Sequence, residues 1–97
     1  MYGLSAAHWK IITTLLLDPL KAVHCKIYVF GSRARGDYKK FSDLDVLVEC
    51  STDVTSMLSE IRDDLEESEL PIKVDLVENR HLAESYRENV ERDKIRL

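Results

Sequence analysis

Apolar residues recur along this chain with two alternating periods. Ala7, Ile11 and Leu15, with Ile12 and Leu16 beside them, form a wide stripe at helical spacing. They predict a helix over Ser5 to Asp18 with Ser5 as its N-cap and its end set by Pro19, which disfavours helical geometry in the residue before it. Trp9 on this helix is expected in the core rather than at a partner contact. Lys26 to Phe30 is β-branched and aromatic, a short strand, and Leu44 to Cys50 is a second. Val54, Met57, Leu58, Ile61 and Leu65 return to helical spacing and predict an amphipathic helix over Asp53 to Ser68, capped by Thr52 or Asp53. Its outer face (Glu60, Asp63, Asp64, Glu66, Glu67) reads as a solvated acidic surface. After Pro71, Ile72 to Val77 is a third strand. Leu82, Tyr86 and Val90 then mark a last helix whose apolar stripe is thin, which points to marginal packing or to a partner.

The order α-β-loop-β-α-β-α predicts an α/β (α+β) domain, a small mixed sheet with helices covering one face. The chain has 97 residues, enough for a single domain over residues 1–97 with one modest core. Hydrophobic residues make up 44% and charged residues 33%, an ordinary globular balance. A net charge of -4 argues against gripping nucleic acid by bulk electrostatics. No apolar run approaches the roughly 18 residues of a membrane span, and no signal peptide is evident, so a cytoplasmic protein is expected. Cys25 and Cys50 lack CxxC spacing and a nearby histidine at zinc-site spacing, so they are expected as buried or idle reduced thiols rather than a disulfide or a metal site.

Charge inside the strands changes this plain picture. Side chains alternate along a strand, so Leu44, Val46 and Val48 share the core face while Asp43, Asp45, Leu47 and Glu49 share the other. In the third strand Ile72, Val74 and Leu76 point one way, and Lys73, Asp75 and Val77 the other. If the two strands are neighbours, Asp43, Asp45 and Asp75 converge. Three such carboxylates repel one another unless a cation or protons compensate. Hard oxygen donors suit Mg²⁺ or Mn²⁺, and three Asp on rigid strands can hold two ions of the kind that steady the entering and leaving oxygens of a phosphoryl displacement. The plainer alternative is a solvated sheet face.

Upstream, Gly31-Ser32 follows a strand directly. Gly allows close backbone approach, a helical turn starting there offers free N–H groups to an anion, and Arg33, Arg35, Lys39 and Lys40 add positive charge. "GxxxxGK[ST]" is absent, so this is not a Walker loop. "RGD" at Arg35 to Asp37 is a chance tripeptide, and His8, His24 and His81 read as surface residues, although His81 follows the third strand closely enough to reach the site.

Taken together, "GSRARGDYKKFSDLDVLVE" has the form GS-x10-DxD, with a further strand Asp at position 75. This resembles the nucleotidyltransferase superfamily that includes DNA polymerase β and kanamycin nucleotidyltransferase, and within it the minimal nucleotidyltransferases, the MntA-like antitoxins, over residues 10 to 90 or so. The resemblance implies the polymerase β-like fold and transfer of a nucleoside monophosphate, AMP from ATP, to an acceptor hydroxyl. It implies Gly31 and Ser32 on the nucleotide phosphates, with Arg33 as a further phosphate contact or a surface residue. Asp43 and Asp45 become ligands of Mg²⁺ (two ions, or Mn²⁺), and Asp75 completes the metal site or acts as base. It also implies a HEPN-domain toxin as partner, with a toxin tyrosine as acceptor. Two other readings stay open: an antitoxin that neutralises its partner by contact alone, and a transferase for a small molecule such as an aminoglycoside.

Overall fold

The computed structural model describes residues 1–97. The first helical segment is one continuous rod in three parts: α1 (Ala6–Ile12), a π-helical turn (Thr13–Leu17) and α2 (Asp18–Ala22). Ser5 caps it as expected, its hydroxyl accepting the His8 N–H at 3.2 Å. Pro19, expected to end the helix, lies inside it. The turn before it is widened, with the Asp18 N–H reaching back five residues to Thr13 O, and the wider turn accommodates a ring that would otherwise crowd the preceding carbonyl. The end comes at His24, whose φ of 62° is left-handed. Its N–H bonds Lys21 O at 3.0 Å and the Cys25 N–H bonds Leu20 O at 3.1 Å, the paired closure of a Schellman motif with histidine where glycine usually stands.

Four strands follow: β1 (Lys26–Phe30), β2 (Leu44–Glu49), β3 (Val74–Glu78) and a two-residue β4 (Ile95–Arg96) that the sequence pattern does not foretell. Their order is β3-β2-β1-β4. β1 runs antiparallel to β2 and to β4, while β2 and β3 are parallel. Parallel neighbours need a crossover, and α4 (Thr55–Glu67) supplies it. Neither Thr52 nor Asp53, the caps expected for α4, holds its N-cap, which is Val54 with no side-chain cap bond. From one residue earlier the Asp53 carboxylate accepts the Thr55 N–H at 3.0 Å and an Arg80 N–H at 2.9 Å. Those bonds, the Thr55 backbone first, hold its pKa down at about 2.

The core lies on one face of the sheet, where Ile27, Val29, Leu44, Val46, Val48 and Leu76 meet Ile12, Leu16, Leu20, Leu58, Ile61 and Leu65. Trp9 packs half-buried against this cluster, and its indole N–H donates to Met1 O. Two small elements lie outside the expected order: α3 (Gly31–Arg35), directly after β1, and a 3-10 turn (Asn79–His81) after β3. The last helix, α5 (Glu84–Asp93), borders the opposite face, so that face is partly covered too. Leu47, which alternation assigns to the carboxylate face, is buried, as is Val90 of α5. No helix is long and apolar enough to cross a membrane.

The cysteines correct the sequence reading. Cys25 and Cys50 form a disulfide. Lys26 pairs with Glu49 at the end of the β1–β2 ladder, so the next residues out, 25 and 50, face each other with Cα atoms 4.5 Å apart. Strand register brings them together, and spacing in sequence carries no trace of it. The bond closes a loop across a sequence separation of 25 residues. Reduction, or a double Cys→Ser variant, is expected to cost about 3 kcal/mol. That corresponds to a Tm lowered by at least about 10 °C in a domain of this size, read by thermal melts with and without reductant.

Candidate active site

Asp45 and Asp75 are direct partners across the parallel β2–β3 pair, and Phe30 is Asp45's partner on β1. Asp43 lies just ahead of β2. Strand order thus sets Asp45, half-buried, beside Asp75, with Asp43 two residues before Asp45, and both Asp43 and Asp75 are exposed. Burial, then Asp75, then Asp43 push the Asp45 carboxyl above the usual carboxylate range, against a weaker downward pull from Arg35.

Gly31 closes the site from above. Its φ is 75°, and a Cβ there would overlap Asp45 Oδ2. Glycine is needed twice over, for the left-handed backbone and for the contact with the carboxylate. Gly31→Ala is expected to lose about 1–2 kcal/mol from backbone strain alone and to displace Asp45. Its activity should fall more than its stability, a comparison made by urea unfolding beside turnover. Ser32 follows, partly exposed, at the start of α3.

Arg33 departs from the expected phosphate contact or surface role. It is 2% exposed, the largest fully buried side chain of the protein. Its guanidinium donates to Ser42 O at 3.0 Å, Tyr2 O at 2.8 Å and Lys40 O at 3.2 Å, and it stacks on the Tyr38 ring, 4.8 Å from the centroid. With those N–H groups spent on main-chain carbonyls, Arg33 pins the loop between α3 and β2 that delivers Asp43. Arg35 is the guanidinium that borders the site. It pairs with Asp37 at 3.2 Å and with Asp93 of α5 at 3.0 Å, tying the Gly-Ser helix to the last helix. That hydrogen bond to Arg35 also holds Asp93 below the usual carboxylate range.

A pocket of about 510 Å³ opens beside the carboxylates. Gly31, Arg35 and Asp75 line one side. Phe30, Val77, Leu82, Tyr86 and Val90 supply apolar wall, and His81 and Asn89 add polar atoms. His81 is exposed, as expected, with Nδ1 at 3.2 Å from Glu78. The Arg35–Asp93 tie and the α5 wall are beyond sequence reading, because both depend on how α5 docks. The one hint was the thin Leu82, Tyr86, Val90 stripe.

No three His, Cys, Asp or Glu side chains form a preformed cation cage. The donor set nevertheless fits a divalent cation shared with a ligand: hard oxygens, mutually repelling, around a carboxyl whose charged form is disfavoured. Mg²⁺ characteristically takes one or two carboxylates and completes its shell with water and substrate phosphate.

The site is thus a Gly-Ser turn lying over neighbouring strand aspartates on a small mixed sheet. The chain belongs to the nucleotidyltransferase domain family, whose model matches residues 12–97. It is 33% identical over 63 residues to "Probable protein adenylyltransferase MntA" of Haemophilus influenzae, a match covering 64% of this chain and 55% of that protein. The match thus spans about half the length of that curated relative. Among solved structures it is similar to a crystal structure of a toxin-antitoxin with AMP-PNP, at 27% identity and a TM-score of 0.69, covering 90% of this chain and 69% of that one. The resemblance to minimal nucleotidyltransferases, and the fold it implied, are borne out.

Proposed function

We propose that this chain transfers AMP from ATP to a hydroxyl of a partner protein and acts as the antitoxin of a toxin–antitoxin pair, the partner being a HEPN-domain toxin and the acceptor one of its tyrosines. Family membership supports the chemistry, and the adenylyltransferase relative and the AMP-PNP-bound toxin-antitoxin neighbour support the nucleotide and the setting. The observation that carries the reading is the Asp45–Asp75 register pair beneath Gly31.

In this reading the Gly31-Ser32 turn receives the triphosphate tail, its backbone approachable because no Cβ stands there. Asp43 and Asp45, with Asp75, would hold Mg²⁺ or Mn²⁺. Such cations, when bound, neutralise phosphate charge and polarise the α-phosphorus. The acceptor oxygen bonds to the α-phosphorus as the bond to the bridging oxygen breaks, pyrophosphate leaves, and the hydroxyl proton passes to Asp75 where that carboxylate acts as base. The chain's own part is positioning and electrostatics. The proposed setting is cytoplasmic, where a Cys25–Cys50 bond forms only under oxidising conditions.

The test is incubation with α-labelled ATP and Mg²⁺, with and without the proposed HEPN-domain partner. Label on the partner, lost in the Asp43→Ala, Asp45→Ala double variant, is the expected result. A stable complex carrying no label from any NTP overturns the transfer reading in favour of neutralisation by contact.

A further inference from the structure

We infer that the pocket between α5 and the open face of the sheet receives the nucleoside of the bound triphosphate, making α5 the element that reads the base. This deepens, and rests on, the nucleotidyl-transfer reading. The pocket is continuous with the phosphate turn: Gly31 and Arg35 belong to its lining, and Asp75 stands at its edge. A nucleotide whose phosphates lie on Gly31-Ser32 therefore has this pocket as the adjoining space. An acceptor attacking in line approaches from the side opposite the leaving pyrophosphate, away from that turn.

The lining has the chemistry of a slot for a flat, mostly apolar group. Val77, Leu82 and Val90 give aliphatic wall, and Tyr86 stands at it 63% exposed, an aromatic face left unused by the core. Its volume of about 510 Å³ suits a small ligand. Asn89 is the lone carboxamide in the lining, offering one donor and one acceptor side by side, the complement of the adenine N6/N7 edge and a mismatch for the two acceptors of guanine. The Arg35–Asp93 ion pair fixes α5 to α3, so wall and phosphate turn form one unit.

The experiment is calorimetric titration of the full chain with Mg-ATP, Mg-GTP and inorganic tripolyphosphate. Ala83 is an exposed residue of the same lining, so Ala83→Trp fills the pocket, while Tyr86→Ala removes its aromatic wall; circular dichroism confirms that each folds. Each is expected to weaken ATP about tenfold or more, as loss of base stacking does, while tripolyphosphate stays within about twofold. Asn89→Leu is expected to cut the preference for ATP over GTP about tenfold. Unchanged ATP affinity in Ala83→Trp and Tyr86→Ala overturns the inference. If those variants also lose transfer to protein, the pocket belongs to the acceptor and the transfer reading stands. A wild-type chain that binds neither ATP nor tripolyphosphate overturns both.

Discussion

Asp45→Asn is expected to lower nucleotidyl transfer on the order of 10³-fold and, in the same variant, to raise the thermal midpoint of the isolated chain. The two effects share a cause. Asp45 is half-buried, flanked by Asp75 across the β2–β3 pair and by Asp43 two residues earlier, and these push its carboxyl above the usual range. A carboxyl that holds its proton more tightly folded than unfolded costs stability wherever it must be charged. The cost appears as pH rises above the ordinary value of 3.8 and through the raised one. The amide has the same shape and no charge, so the gain of Asp45→Asn should be present at pH 7 and vanish below pH 3.8, where the wild-type carboxyl is neutral in both states. Thermal melts of both proteins across that range, beside turnover with labelled ATP, check the pairing. An Asp45→Asn chain that melts lower than wild type at pH 7 would show that repulsion is not what the carboxylates contribute.

Arg33→Ala is expected to destabilise the fold by about 4 kcal/mol, near the top of what single substitutions do. It strips hydrogen-bond donors from the carbonyls of Tyr2, Lys40 and Ser42 and leaves a cavity beneath Tyr38. Arg33→Lys should recover only part of this, because a single ammonium cannot span three carbonyls as the planar guanidinium does. The loop carrying Lys39 and Lys40 should become open to trypsin, and activity should fall with it since Asp43 sits at its end. Urea unfolding and limited proteolysis measure both. Wild-type stability in Arg33→Ala would return Arg33 to the phosphate role that its place in the motif first implied.

The phosphate assignment for Arg33 went astray because "GSRARG" shows two arginines two apart, and only the path of the loop decides which turns inward. In α3 they point apart, Arg33 into carbonyls from two chain segments and Arg35 toward the pocket and Asp93. Pro19 misled for a related reason. Its local preference is real, but a widened helical turn absorbed it, and the helix was ended by hydrogen bonds at His24.

By itself, the sequence determined what local chemistry and periodicity can express. The alternation in "LDVLVE" and "VDLV" put core and carboxylates on opposite faces, the spacing of Leu58, Ile61 and Leu65 gave the crossover helix, and Gly-Ser after a strand marked the turn above Asp45. Tertiary structure alone decided what depends on pairing between distant segments. Strand order set Asp45 beside Asp75, register brought Cys25 to Cys50, and the docking of α5 made the pocket. Periodicity fixes which way a side chain points relative to its own backbone. It carries no information on which other backbone lies opposite, because that is settled by closing loops and packing faces across the whole chain.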